Sequence, residues 1–416
     1  MPKNLQYIQI RKNSNPLISS LRLPASKSES NRALIIEALA GESGTIKNLS
    51  SARDTQTLKR LLISKDHILD VIDAGTTMRF LTAYLSVTNQ DKILTGTRRM
   101  CERPIGILVD ALRETGATIE YVDREGFPPI HIKNFKSGEK KNINMRGDVS
   151  SQFISAMLMI APVLEKGLTI ELSGKIGSKP YINLTLGLMK HFGVDAQWSG
   201  NTIHIPHQSY VPSPFQVNPD WSGASYWYSF ASLADEANIS LPGFSKASLQ
   251  GDRMISEIME NLGVKSTFDR SGVILTKKSN VASIKFDFSD YPDLAQTVIL
   301  TCAVKGIEGW FTGLESLKIK ETDRIAALKK ELSKIGADLI ELSEEAWQLI
   351  PSDTILLPSS LTIETYDDHR MAMAFAPLAT KMDVYIENPD VVAKSYPTFW
   401  QDLNKSGFDT RLINKV

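Results

Sequence analysis

LKKELSKIGADLI, residues 328–340, is the stretch that decides the fold. Leu328, Leu332 and Ile335 recur at helical spacing, Gly336 follows, and Ala337-Asp338-Leu339-Ile340 then begins an alternating pattern. A glycine at that point takes the left-handed conformation that closes a helix, and the alternation after it reads as a half-buried strand. The same helix–glycine–strand unit is found on either side. It reads LVDALRETGATIEY at 108–121, LMKHFGVDAQW at 188–198, IMENLGVKSTF at 258–268 and, more weakly, DLNKSGFDTRL at 402–412. Such units occur in any α/β protein; the near-constant spacing of Gly116, Gly193, Gly263, Gly336 and Gly407, about 70 residues, marks a repeat. That period over 416 residues predicts six units. The first falls at LKRLLIS, 58–64, with Ser64 in the glycine slot, and the short step to Gly116 predicts that this unit has lost strand and turn.

A second class of segment opens helices. Ser26-Lys27-Ser28-Glu29-Ser30-Asn31-Arg32 precedes ALIIEALA, Asp73-Ala74-Gly75-Thr76-Thr77-Met78-Arg79 precedes FLTAYL, and Ser150-Ser151-Gln152-Phe153 precedes ISAMLMIAPVL. Ser178-Lys179-Pro180-Tyr181, Asp290-Tyr291-Pro292-Asp293, Lys320-Glu321-Thr322-Asp323-Arg324 and Asp367-Asp368-His369-Arg370 follow the same plan. Capping explains the Ser and Asp residues. It does not explain Lys27, Arg32, Lys320, Arg324 and Arg370, because a cation in the first turn opposes the helix dipole. Free N–H groups, the dipole and a basic side chain together favour an anion, phosphate or carboxylate. His369, between Asp368 and Arg370, reads as a hydrogen-bonding member of a polar site.

Composition narrows the class. Lys+Arg and Asp+Glu are 47 each, so net charge gives no case for a nucleic-acid or membrane-surface partner. Cys101 and Cys302 cannot build a disulfide framework or a four-cysteine metal site, and they fit a reducing compartment. MPKNLQYIQI carries no apolar signal core, and no apolar run approaches the ~20 residues of a membrane span, so the reading is a cytoplasmic protein. Neither G-x-x-x-x-G-K-[ST] nor G-x-G-x-x-G is present, and no nucleophile elbow is visible. His204 and His207, in NTIHIPHQS, read as a surface strand rather than a metal site. Cys101 lies among Arg98, Arg99, Glu102 and Arg103, and a nucleophilic role for it is the lesser reading.

Taken together, LPASKSESNRAL, AGTTMRFL, TGTRRMCERPIG, SSQF, SKPYI, YPDLAQT, KIKETDR, YDDHRMAMAF and AKSYPTFW, in this order between Leu23 and Leu403, resemble the 5-enolpyruvylshikimate-3-phosphate (EPSP) synthase family. The resemblance implies an α/β, two-domain enolpyruvyl transferase fold of six βαβαββ units, three per domain, with helix N-termini facing a central cleft. One domain would be discontinuous, 1–22 with 219–416, and the other would be 23–218 with the shortened unit. The implied reaction moves the enolpyruvyl group of phosphoenolpyruvate to the 5-hydroxyl of shikimate 3-phosphate and releases phosphate. It implies no metal or organic cofactor, no macromolecular partner, and a monomer whose partners are the two small substrates.

Residue by residue, the resemblance assigns Lys27, Gly75, Arg99, Gln152, Arg324, Arg370 and Lys394 to phosphoenolpyruvate. It assigns Lys27, Ser28, Arg32, Ser150, Ser151, Gln152, Ser178, Asp293, Ser316 and Lys320 to shikimate 3-phosphate, with Tyr181 and His369 in support. Asp293 matches the carboxylate that takes the 5-hydroxyl proton; Glu321 and Lys394 are the candidates for proton transfer at C3, and Lys27 completes the catalytic set. The family's small anionic inhibitor, glyphosate, competes with phosphoenolpyruvate. Three positions depart from the family: Asp73 for an asparagine, with a cap as its expected role; Ser316 for an asparagine found in some members; and Phe80 for a common proline. The sister transferase acting on UDP-N-acetylglucosamine is the nearest rival, but its loop cysteine lies further upstream of an Arg-Pro pair than Cys101 lies from Arg103-Pro104. An inactive paralogue that only binds phosphorylated ligands is the second rival, and intact Asp293, Glu321 and Lys394 oppose it.

Overall fold

A computed structural model describes residues 6–41, 44–136, 138, 140–352 and 357–414. The chain divides into two units, Met1–Pro24 with Asn218–Val416, and Ala25–Val217. Each has its own apolar core: Trp227, Phe230, Leu300 and Met373 lie in the first, and Phe80, Leu108, Met157 and Leu188 in the second.

One sheet plan is used five times. In the unit 25–217, strand Ile68–Asp70 pairs in parallel with Lys92–Thr95, which pairs antiparallel with Ile130–Phe135, which in turn pairs antiparallel with Ala117–Tyr121. Asn142–Arg146, Leu168–Ser173, Thr202–Ile205 and Gln197–Ser199 repeat that order. In the other unit the plan recurs as Leu17–Ser20, Ala237–Pro242, Gly272–Lys277 and Val264–Phe268, and again as Ser283–Asp287, Glu308–Thr312, Ala346–Ile350 and Asp338–Ser343. The last sheet, Ser360–Ile363, Asp383–Glu387, Gln6–Ile10 and Thr410–Asn414, borrows its third member from the start of the chain.

The sixth unit is the shortened one. Its sheet is a parallel pair, Ile46–Lys47 with Phe215–Gln216. Helix Arg53–Leu62 ends at Ile63, and the chain runs straight into strand Ile68–Asp70 of the next unit, so the missing residues are an antiparallel hairpin. Gly116, Gly193, Gly263, Gly336 and Gly407 all have positive φ, between 76° and 117°. This is the helix-stop conformation that lacks a steric penalty only in glycine.

Two kinds of helix alternate. Between the parallel strands run helices buried on nearly every side, such as Ser151–Ile160, Ala295–Val304 and His369–Phe375, which accounts for their unbroken apolar sequences. Amphipathic helices such as Lys179–His191 and Arg324–Ser333 precede the glycine stops. In a parallel strand–helix–strand unit, helix N-termini lie at the carboxyl edge of the strands. The polar helix-opening segments therefore gather at one end of each unit. Among the described residues, no helix is long and apolar enough to cross a membrane.

The two passages between units are symmetric in kind. Strand Leu17–Ser20 of one unit leads into helix Lys27–Leu39 of the other, and strand Phe215–Gln216 leads back into helix Trp221–Leu233. Asp220 N–H donates to the Pro24 carbonyl at 3.0 Å, so the two passing segments are joined.

Candidate active site

Three helix starts of the discontinuous unit, with Lys394 from the end of a fourth segment, bring six charged side chains together. Asp323 caps helix Arg324–Ser333 by accepting from Ala326 N–H, and Asp368 caps His369–Phe375 by accepting from Arg370 N–H. A cap of this kind is worth about 0.5–2 kcal/mol, and here it also aims the arginines that follow. The Arg324 guanidinium, 2 % exposed, donates to Asp368 Oδ2 at 2.6 Å, Glu321 Oε2 at 2.9 Å and Asp293 Oδ1 at 3.2 Å. Burial by itself would lower the Arg324 pKa. Asp368, Glu321 and Asp293 outweigh that effect and the repulsion from Arg370, so the net shift is upward.

Arg370 closes the other side of Asp293. Its Nη2 lies 2.6 Å from Asp293 Oδ2, and its Nη1 donates to the Asp293 carbonyl and to the Tyr226 hydroxyl. Burial raises the Tyr226 pKa to about 12, so the phenol stays protonated. Lys394, at the end of the short 3-10 segment Pro389–Lys394, places Nζ 3.7 Å from Glu321 Oε1. His369 is buried beside Asp368, Nδ1 to Oδ1 3.5 Å. Ser316 lies in the short turn Glu315–Ile319, and Lys320 follows it in extended conformation.

A second constellation occupies the unit 25–217. Ser26 caps helix Lys27–Leu39 by accepting from Glu29 N–H, and Ser150 caps Ser151–Ile160 by accepting from Gln152 N–H. Lys27 Nζ pairs with Asp54 at 3.2 Å. Arg32 is buried and donates to Thr185 Oγ1 at 2.7 Å, Ser155 Oγ at 3.2 Å and the carbonyls of Ser28 and Tyr181. These acceptors are all neutral. Burial lowers the Arg32 pKa to about 10 despite the fields of Tyr181 and Glu29. A buried cation without a carboxylate at hydrogen-bond distance is costly, and a ligand anion would offset that cost. Gln152 Nε2 donates to Thr76 Oγ1 at 3.2 Å, joining two helix starts. Arg99, half exposed, lies 3.5 Å from Glu102.

Two capping expectations need correction. Asp73 does not cap its helix: the N-cap is Ala74, and both Asp73 oxygens accept from Arg53 Nη2 at 3.1 Å. Its negative charge is thus matched locally. Ser178 is the N-cap of Lys179–His191 but sits at φ 55° and makes no capping bond. Gly75 makes room for a protein group, since a Cβ there would lie 2.8 Å from Arg103 Nη1. The cations Lys27, Arg324 and Arg370 are matched by carboxylates rather than left as bare positive charge. Phe80 is fully buried, with the Arg32 guanidinium 5.4 Å from its ring centroid, so this departure from the family supports a site cation.

Sequence reasoning missed Asp54, Ser155, Thr185, Tyr226 and the structural role of Arg103. Ser155 and Thr185 sit inside apolar helical runs, where a lone hydroxyl usually bonds its own helix. Asp368 was visible in YDDHR only as a cap.

The arrangement of sheets is that of the enolpyruvyl transferases. An EPSP synthase from Acinetobacter baumannii superimposes with a TM-score of 0.76 at 20% identity, over 98% of this chain and 100% of that one. The enolpyruvyl transferase NikO from Streptomyces tendae gives 0.74 at 13% identity, over 99% and 100%. Sequence comparison is more specific. The profile of EPSP synthase (3-phosphoshikimate 1-carboxyvinyltransferase) matches residues 11–64 and 56–403. A 3-phosphoshikimate 1-carboxyvinyltransferase of Bacteroides fragilis is 49% identical over 399 residues, 95% of this chain and 96% of the relative. One from Pasteurella multocida is 37% identical, covering 91% and 93%. The chain belongs to the EPSP synthase family.

Proposed function

We propose that this chain transfers the enolpyruvyl group of phosphoenolpyruvate to the 5-hydroxyl of shikimate 3-phosphate, with the two constellations as its substrate-binding and catalytic groups. It is a step of the shikimate pathway toward chorismate and the aromatic amino acids. The observation that carries the assignment of roles is the pairing of Asp293 with Arg324 and Arg370 beside the Glu321–Lys394 pair. Both substrates are polyanions, and both arginines present two-pronged donors suited to carboxylate and phosphate. Arg99, Arg324, Arg370 and Lys394 hold phosphoenolpyruvate along with Gly75 and Gln152. Arg32, Ser28, Ser150, Ser151, Ser178, Asp293, Ser316 and Lys320 hold shikimate 3-phosphate, and Lys27 and Gln152 contact both.

The reaction is addition followed by elimination. The 5-hydroxyl oxygen bonds to C2 of phosphoenolpyruvate, its proton passes to Asp293, and C3 receives a proton to become a methyl group. The tetrahedral intermediate then loses phosphate as one methyl proton is removed, which restores the double bond. Glu321 and Lys394 carry the proton at C3. The ion pairs hold these groups in place before substrate arrives, as preorganised acid–base chemistry requires. The units Met1–Pro24 with Asn218–Val416 and Ala25–Val217 act as the two domains of a cytoplasmic monomer, and light scattering on the purified chain checks the stoichiometry. Phosphate release measured with shikimate 3-phosphate and, separately, with UDP-N-acetylglucosamine tests the assignment. Release with the sugar nucleotide alone, or with neither acceptor, would overturn it.

A further inference from the structure

Away from both constellations, three neighbouring strands of the unit 25–217 bring two imidazoles and a carboxylate to one point. His67 precedes strand Ile68–Asp70, Asp91 precedes Lys92–Thr95, and His131 lies within Ile130–Phe135, where it is paired with Ile93. One ligand atom from each residue lies within 4.8 Å of the other two. His131 Nε2 is 2.7 Å from Asp91 Oδ1, and His67 Nδ1 is 3.9 Å from the same oxygen. The two rings meet edge to face, with centroids 5.6 Å apart.

The two ligands outside the strands are anchored by their neighbours. Asn89, at φ 55°, accepts from Phe135 N–H through Oδ1 at 2.8 Å, which ties the turn before Asp91 to the His131 strand. Lys92 Nζ donates to the Asp66 carbonyl at 2.6 Å, and Ile93 N–H donates to the His67 carbonyl at 2.9 Å, which fixes the turn carrying His67. Lys133, two residues after His131, is held by Glu120 at 2.7 Å.

We propose that His67, Asp91 and His131 form a surface site for one divalent transition-metal ion. Two imidazoles and one carboxylate suit zinc, copper or nickel rather than magnesium or calcium, which prefer all-oxygen shells. Bonds of about 2.0–2.2 Å to this set leave a fourth, solvent-facing position for water. The ion takes the place of the proton shared by His131 and Asp91 and cross-links three strands of one sheet. His131 is 24 % exposed, and His67 and Asp91 more than half, so the ion enters directly from solvent.

Titration calorimetry with zinc chloride on the full chain, stripped with chelator, tests the site. One ion per chain is expected, with affinity falling at least tenfold in His67→Ala, in His131→Ala and in Asp91→Asn. Zinc is expected to raise the melting temperature of the parent and not of the variants, and cobalt is expected to give the visible absorption of a four-coordinate ion. His67 and Asp91 are exposed and His131 is partly buried, so the melting temperatures without metal serve as the folding control. Absence of saturable binding overturns the proposal. So does unchanged affinity in any one of the three variants, because a site of two ligands is not the one proposed.

Discussion

Gly75 and Arg103 are packed so closely that a side chain on Gly75 would require the arginine to move: a Cβ there would lie 2.8 Å from Nη1 and 3.1 Å from both Cζ and Nη2 of the arginine. The obstacle is the far end of a long side chain, so Gly75→Ala displaces the guanidinium rather than the helix. Overpacking costs about 1–3 kcal/mol, and a movable neighbour places this case at the lower end. The expected result is a rise of about fivefold in the phosphoenolpyruvate KM and a larger rise in the glyphosate inhibition constant, because the inhibitor is the bulkier ligand. Gly75→Ala with Arg103→Lys should recover part of the loss. Strict additivity of the two substitutions would show that Arg103 does not transmit the effect.

Asp293→Asn keeps the shape of the side chain and removes the proton acceptor. Turnover is expected to fall by about 10²-fold or more, while shikimate 3-phosphate, measured by calorimetry, still binds. The melting temperature should also fall, because Arg324 and Arg370 each lose an ionic partner. Turnover near that of the parent would reduce Asp293 to a residue that positions the two arginines.

Arg32 sets function against stability. It is a buried guanidinium bonded to neutral oxygens, with its pKa lowered to about 10. Arg32→Met removes that charge and leaves Thr185 and Ser155 bonded to each other at 2.9 Å. The melting temperature is expected to hold or rise, and the shikimate 3-phosphate KM to rise at least tenfold. A marked loss of stability with an unchanged KM would mean that Arg32 is a structural residue.

Lys277 provides a pH test. Burial, then the fields of Lys305 and Lys381, lower its pKa to about 8 from the ordinary 10.5. Between those values the unfolded chain holds more of the proton than the folded chain, so stability gains from this group as pH rises. Below pH 8 the cost of the charge is present in full. Lys277→Met is therefore expected to melt above the parent by most at pH 7, with the gap narrowing toward pH 10. Lys305 still donates to the Ser232 carbonyl that Lys277 also serves, so that acceptor stays satisfied. A gap that does not change with pH would refute the assignment.

Local signals were legible in the sequence and distant ones were not. The five glycines announced their helix stops because positive φ is a local demand. Asp323 and Asp368 announced their caps for the same reason. Asp73 looked like a cap, and only the fold brings Arg53, twenty residues earlier, to its carboxylate. Arg324 and Arg370 could be read as cations of a site. The carboxylates that balance them come from three separate loops, which no spacing rule connects. His67 and His131 lie on different strands, so their meeting depends on sheet order, and His204 with His207 drew attention by sequence proximity alone. The resemblance to a family named the site residues, but it could not show that Phe80 packs beneath Arg32.

Strand Gln6–Ile10 lies between Asp383–Glu387 and Thr410–Asn414, and this has a cost in time during synthesis. About 370 residues separate the strand from the first of its partners, and at ribosomal rates of roughly 5–20 residues per second it waits on the order of 20–75 s for them. The strands of the unit 25–217 have all emerged by then, so that unit can assemble while its companion is still incomplete. Throughout the interval the nascent chain carries an orphan β-segment whose backbone groups any passing strand could satisfy. Strands Asp383–Glu387 and Thr410–Asn414 are thus the ones that cover both edges of Gln6–Ile10. A chain truncated before Asp383 would leave Gln6–Ile10 without either of these partners.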